Sequence, residues 1–269
     1  MPVSLGGGGG GGKTYPQYFI VNSQTWVPPE DGNICIHVIG GGGSGAVGST
    51  VYGAGAAGAY GKIASLAVTT AGSFTLVVGS GGTKRWGYNG VIDGVSGGNS
   101  TIAGTGITGT LTCGGGEGGI QSSAANAGGG AVSGSANEGW AGFSGGIGVV
   151  TGGAVGVYAT GAHDTGTDYI GARTDAPIGG ILMSRYGTIC GGERGGNWAS
   201  NMNGSATRLA IHGEDLCGGG YAYTSVGVNS FSGNGGIGAG AGGAKGNNYI
   251  YLHSGYGGHG IILIQYLPG

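Results

Sequence analysis

Between residues 113 and 153 the chain reads CGGGEGGIQSSAANAGGGAVSGSANEGWAGFSGGIGVVTGG, and this stretch narrows the choice of fold more than any other. It holds no run of large apolar residues that could face a core. A helix would lose about 1 kcal/mol at each glycine relative to alanine, and a sandwich strand would have no side chain to pack. One ordered state accepts glycine throughout. Polyglycine II is a left-handed helix of three residues per turn, rising about 3.1 Å per residue. Without Cβ atoms, such helices can lie close enough to hydrogen-bond to their neighbours. The same texture returns at residues 190–196, 217–220, 232–246 and 255–260. The sequence therefore predicts a lattice of these helices as the organising element.

Composition tests that expectation against disorder. Glycine makes up 76 of 269 residues, where about 7% is usual, and Gly-rich chains without a period commonly stay unfolded. Here the net charge is only −2, and 14 Tyr and 4 Trp are available as anchors, so order is expected. A collagen helix is excluded, since no strict G-X-Y repeat persists and there are only 6 prolines. No run of 18 apolar residues exists, so no helical membrane insertion is expected. The start MPVSLGGGG has neither a basic nor an apolar leader region, so no signal peptide is expected. A pI near 6.2 gives no basic footprint for nucleic acid.

Strand signals gather elsewhere. Residues 18–38 read as strand, turn, strand around Pro28-Pro29-Glu30-Asp31-Gly32. In the second of these strands Ile34, Ile36 and Val38 alternate with Cys35 and His37, which places His37 toward solvent. Residues 60–69 and 73–78 read as a second pair joined by Thr70-Ala71-Gly72. Strands at 99–103 and 107–113 follow, and GIILIQY at 260–266 is apolar on both faces and therefore central. The expected fold is all-β and irregular: a small antiparallel β part plus a packed polyglycine II lattice, with negligible α-helix. Its parts are a glycine-rich lead at 1–17, a β-rich part at 18–113, the lattice at 114–259 and a closing strand at 260–269, within one compact domain.

Chemistry-bearing motifs are scarce. GGGGGGKT at 7–14 fits the letters of a P-loop, but a phosphate cradle needs a strand before it and a helix after it, and Pro16 obstructs that helix. Cys35, Cys113, Cys190 and Cys217 lie far apart with no CxxC. LTCGGG, TICGG and DLCGGG read as strand ends with a small buried residue, not as metal ligands. Neither His163-Asp164 nor His212 has a nucleophile or second histidine at motif spacing. No enzyme, metal or cofactor is expected.

The order TW-VPP-x-DG-x-ICIHVIGGGGSG, AGAAGAYGKI, VVGSGG, GGNSTIAG…LTCGGGEGG and GGHGIILIQY resembles the glycine-rich domain of bacteriophage tail-fibre and tail-tip proteins. The resemblance covers residues 22–119 and 233–266. The texture of 113–260 is also similar to the distal adhesins of T-even-like long tail fibres, where a polyglycine II sandwich carries receptor-contacting loops. Relative to those adhesins, the longer fibre-attachment region is expected to be missing at the N-terminus. The resemblance implies a virion tail or fibre-tip protein assembled in the host cytoplasm. Its implied partners are other tail or fibre proteins, further copies of itself and a bacterial surface receptor, either an outer-membrane protein or a glycan.

Aromatics and charges gather between the glycine tracts, in the Tyr, Trp, Ser, Gly and Asn vocabulary of binding loops. The receptor-binding candidates are Trp198, Tyr221, Tyr223, Tyr158, Tyr169, Tyr186, Trp140, Tyr249 and Tyr251. Trp86 is expected to be packed, and Trp198, Tyr221 and Tyr223 to be exposed. Two alternatives stay open. One is a purely structural virion subunit whose aromatics seal the lattice or face sister subunits. The other, an ice-binding bundle, would need a flat Thr or Ala face that these bulky loops do not offer.

Overall fold

The computed structural model describes residues 15–48, 53–88, 92–121, 127–142, 144–145, 223–226, 230–232, 234–247 and 251–268. Among them the strands run β1 (Gln17–Ile20), β2 (Gln24–Trp26), β3 (Gly32–Ile39), β4 (Val47–Gly48), β5 (Tyr60–Val68), β6 (Phe74–Val77), β7 (Trp86–Tyr88) and β8 (Ser100–Gly104). They continue with β9 (Thr110–Cys113), β10 (Val132–Ser133), β11 (Glu138–Trp140), β12 (Tyr223–Val226), β13 (Ser230–Phe231), β14 (Ala244–Asn247), β15 (Tyr251–His253) and β16 (Ile261–Tyr266). No helix occurs among the described residues. The fold is all-β.

Two antiparallel five-stranded sheets, ordered β1-β16-β3-β5-β11 and β10-β9-β8-β6-β2, enclose the main core. The period-two alternation does the sorting. Ile34, Ile36 and Val38 of β3, with Ile262, Ile264 and Tyr266 of β16, meet Trp26, Phe74, Leu76, Ile102 and Leu111 of the other sheet. Trp26 packs against Phe74 and against Tyr18, each at 5.7 Å between ring centroids. Each such side chain contributes roughly 1.5–3 kcal/mol by burial. β16 lies between β1 and β3 and is buried except at Gln265, as its two-sided apolar run predicts. Cys113 ends β9 fully buried before Gly114, and its thiol is pushed up to about 12 by burial.

Two expectations need correction. Residues 60–69 and 73–78 do not pair with each other. β5 pairs with β3 and β11, whereas β6 pairs with β2 and β8, so the turn closed by Gly72 N–H to Thr69 O (2.8 Å) crosses from one sheet to the other. Alternation names the inward residues but not the sheet they point from. Nor does His37 face solvent. It is 5% exposed, because the second face of this sheet is covered too: Ile39, Tyr60 and Ile261 cluster there with Ala57 and with partly buried Phe19, Trp140 and Ile237.

The buried ring is fully used. His37 Nδ1 lies 2.7 Å from the Tyr60 hydroxyl and Nε2 lies 3.4 Å from Cys35 Sγ. A neutral imidazole meets both by accepting one proton and donating the other. Burial, reinforced by Lys62 and opposed by Glu138, lowers its pKa from 6.5 to about 4. The unfolded chain then binds more protons between these values, so stability is full above pH 6.5 and falls as pH drops toward 4. We expect a loss of about 3 kcal/mol across that window. Urea midpoints for the parent and for His37→Gln should converge as pH falls from 7 to 4. Parallel lines would contradict the assignment.

Beyond one end of the sandwich the strands run into glycine. Residues 40–46 follow β3, 53–59 precede β5, 79–82 follow β6, 92–98 precede β8, 114–120 follow β9 and 255–260 precede β16. Gly40, Gly41 and Gly42 donate to three different segments, at Ala59, Gly98 and Gly258 (2.9, 2.9 and 2.8 Å). Gly43 then returns to the first at Ala56, Ser44 to the second at Val95, and Ala46 to the first again at Gly53. Neighbours keep the step: Ala56 and Ala59 donate to Glu117 and Gly114, and Gly55 and Gly58 to Ala241 and Gly238. The bonding repeats every third residue.

Sheets filled by side chains stack about 10 Å apart. Here Gly41, continuing one sheet, bonds directly to Gly98, which leads into the other. The layers have closed onto each other. A Cβ on Gly42 would land on the Ala239 carbonyl, and one on Gly240 on the Gly55 carbonyl. Alanines occupy the few gaps, with Ala46, Ala54, Ala56, Ala57, Ala239 and Ala241 wholly buried. Ser100 Oγ stitches the junction, donating to Ile39 O (2.6 Å) and accepting from Gly79 N–H (2.9 Å). Segments on both sides of residue 113 share this network. The glycine tracts at 190–196 and 217–220 lie outside the described residues.

Such doubly used backbone should resist exchange. Amides of 40–46, 53–59 and 114–119 are expected to exchange with the slowest core amides of β3 and β16. Exchange within seconds across those segments would contradict the network.

Candidate functional site

At the margin of the network three stretches run together: 81–86, 234–237 and 253–260. Arg85 and Ser254 exchange bonds, with Arg85 N–H donating to Ser254 Oγ (2.8 Å) and Ser254 N–H to Arg85 O (2.9 Å). Gly257 N–H donates to Gly82 O (2.9 Å), and Gly258 N–H to Ala239 O (2.9 Å). Tyr256 is held on both sides: its N–H donates to Asn234 Oδ1 (2.9 Å) and its carbonyl accepts from Gly235 N–H (2.9 Å). A rigid backbone thus carries side chains that are free to meet a partner.

Those side chains are aromatic and basic. Trp86 is 64% exposed and Tyr256 is 44% exposed, and the Lys84 ammonium lies 5.3 Å from the Tyr256 ring centroid. Arg85 Nε donates to Asp93 O (3.0 Å). His253, paired with Trp86 across β15 and β7, is held below the ordinary histidine range by burial and by Lys84. The exposure of Trp86 corrects the expectation that it packs inward. β7 is an edge strand, and its buried Gly87 takes the inward position, so alternation turns Trp86 outward.

Beside Tyr256 an open cleft of about 590 Å³ lies between 234–237 and 256–261, with Val21 and Asn22 on its rim. His259 Nδ1 accepts from Gly81 N–H (3.3 Å), which leaves Nε2–H outward. No cluster of three His, Cys, Asp or Glu suited to a metal ion occurs among the described residues. No helix there is long and apolar enough to cross a membrane.

Of the sequence candidates, Trp198, Tyr221, Tyr158, Tyr169, Tyr186 and Tyr249 lie outside the described residues. Tyr223 opens β12 opposite Ala244 of β14, and Tyr251 opens β15 opposite Tyr88 of β7. Trp140 sits on edge strand β11 opposite Tyr60. It is half-buried against the cluster of Ile39, Tyr60 and Ile261, and its Nε1 is shielded without a partner. That position favours packing for Trp140. Tyr256 closes the aromatic segment 247–256 without being among those candidates, Asn234 and His259 were not singled out by the sequence, and KRWGY at 84–88 marks the charged, aromatic edge.

Strands that bury a common core and then merge into a closely bonded glycine network define a glycine-rich all-β domain. A model of the glycine-rich domain family matches residues 19–267, and the chain belongs to that family. No curated protein matches it.

Proposed function

We propose that this chain is an adhesin of a bacteriophage tail tip or tail fibre, binding a bacterial surface receptor through aromatic side chains on a rigid glycine scaffold. We read that scaffold as polyglycine II, which the three-residue hydrogen-bond period supports. The observation that carries the binding role is the exposure of Trp86 on β7, paired with β15, and of Tyr256, whose backbone is bonded on both sides. Side chains mounted this way lose little entropy on binding, and exposed Trp and Tyr are the usual anchors of an interface. The order of glycine and strand motifs, similar to tail-fibre glycine-rich domains, supports placement in the virion. No catalytic role is proposed.

Purified protein mixed with envelopes of host bacteria should sediment with them and block phage adsorption. A folded preparation that neither binds envelopes nor competes with phage would overturn the adhesin reading and favour a purely structural subunit facing other virion proteins or its own copies.

A further inference from the structure

We infer that the cleft beside Tyr256 is a saccharide subsite selective for sugars that carry a carboxylate or phosphate. The inference deepens the adhesin reading and rests on it, since it names the chemistry of the receptor. Three observations carry it. First, the cleft, about 590 Å³ and open, falls within the range of roughly 300–1,000 Å³ typical of small-ligand sites. Gly235, Gly236, Gly257, Gly258 and Gly260 form part of its wall, so a ring can approach the backbone there.

Second, the polar groups are biased toward donors. Asn234 Oδ1 is already occupied by Tyr256 N–H, so its amide offers N–H groups to a ligand. His259 Nδ1 is occupied by Gly81 N–H, so the imidazole offers Nε2–H. No Asp or Glu is among the described residues that line the cleft, and Lys84 places a positive charge over the adjoining ring. A ligand rich in acceptor oxygens and bearing negative charge suits such a wall. Third, the apolar parts are flat and small. Tyr256 supplies an exposed ring, and Val21, 61% exposed, and Ile237 supply aliphatic surface. A pyranose has an apolar C–H face and a polar rim, which matches this division. An extended peptide would need a free strand ladder, but Tyr256 has both backbone groups engaged.

The test uses the full chain and two named probes, trigalacturonate and the neutral α-1,4-galactotriose, followed by NMR of the Tyr256 ring and His259 imidazole. The expected result is saturable shifts with trigalacturonate and at least tenfold weaker binding of the neutral sugar. Tyr256→Ala should lower trigalacturonate affinity at least tenfold with an unchanged melting temperature. Lys84→Gln should remove the preference for the acid while keeping weak neutral binding. Val27→Ala, at an exposed position outside the cleft, should leave both titrations unchanged. Shifts absent with both sugars, equal for both, or retained in Tyr256→Ala would overturn the inference. Envelope sedimentation separates the two levels. If envelopes bind but trigalacturonate does not, the saccharide subsite falls and the adhesin stands. If trigalacturonate binds but envelopes do not, the subsite stands and the adhesin reading falls.

Discussion

Gly240→Val should lower the denaturant midpoint well below the parent's. The Cβ would land on the Gly55 carbonyl, and Gly55 itself donates to Ala241 one residue away, so two segments must separate together. Overpacking that side-chain rotation can relieve costs about 1–3 kcal/mol. A backbone oxygen has no rotamer to escape into, so the loss should exceed about 3 kcal/mol, a large share of the roughly 5–15 kcal/mol that holds a domain. Gly240→Ala should lose nearly as much, because the first carbon makes the clash. Gly109→Ala is the comparison. Its site is open, with nothing within 4 Å, but its φ of +78° strains any L-residue, so about 1–2 kcal/mol is expected. Denaturant midpoints rank the three. Equal midpoints for Gly240→Ala and Gly109→Ala would mean that close approach does not hold the segments.

The second large effect is on adsorption. Changing Trp86 and Tyr256 together to alanine should leave the melting temperature within a few degrees, since both rings are exposed. Envelope binding should fall by at least about 2 kcal/mol, or roughly thirtyfold, the scale of an interface anchor. An unfolded double mutant would show that the rings support the fold. A stable one that adsorbs normally would move the receptor contact to other aromatics, with Trp198, Tyr221 and Tyr223 first.

The strands were readable because they obey local rules. GIILIQY announces a central strand by being apolar on both faces, and Phe74 and Leu76 announce a core by alternating with polar or exposed neighbours. What alternation cannot carry is which sheet a strand joins, so the 60–69 and 73–78 stretches read as a hairpin although their inward residues face each other from opposite layers. His37 went astray for a related reason. Its polarity suggested water, whereas Tyr60, 23 residues later, supplies its partner inside the protein. In the candidate site the Lys84–Tyr88 run was visible as composition. Tyr256, Asn234 and His259 matter through hydrogen bonds to Asn234, Tyr256 and Gly81, contacts between positions up to 178 residues apart that no local spacing reveals.

The three-way alternation of donors along residues 40–46 also sets a rule for how such a chain can change length. Inserting one residue into that segment would turn everything beyond it by a third of a turn and aim each following N–H at the wrong neighbour. Inserting three would restore the aim. Connections outside the network are not bound to that three-residue phase. Length variation among relatives should therefore be unrestricted in the connecting loops and come in triplets inside the glycine runs. A scaffold with that property can exchange its outer loops while the phase of its interior stays locked.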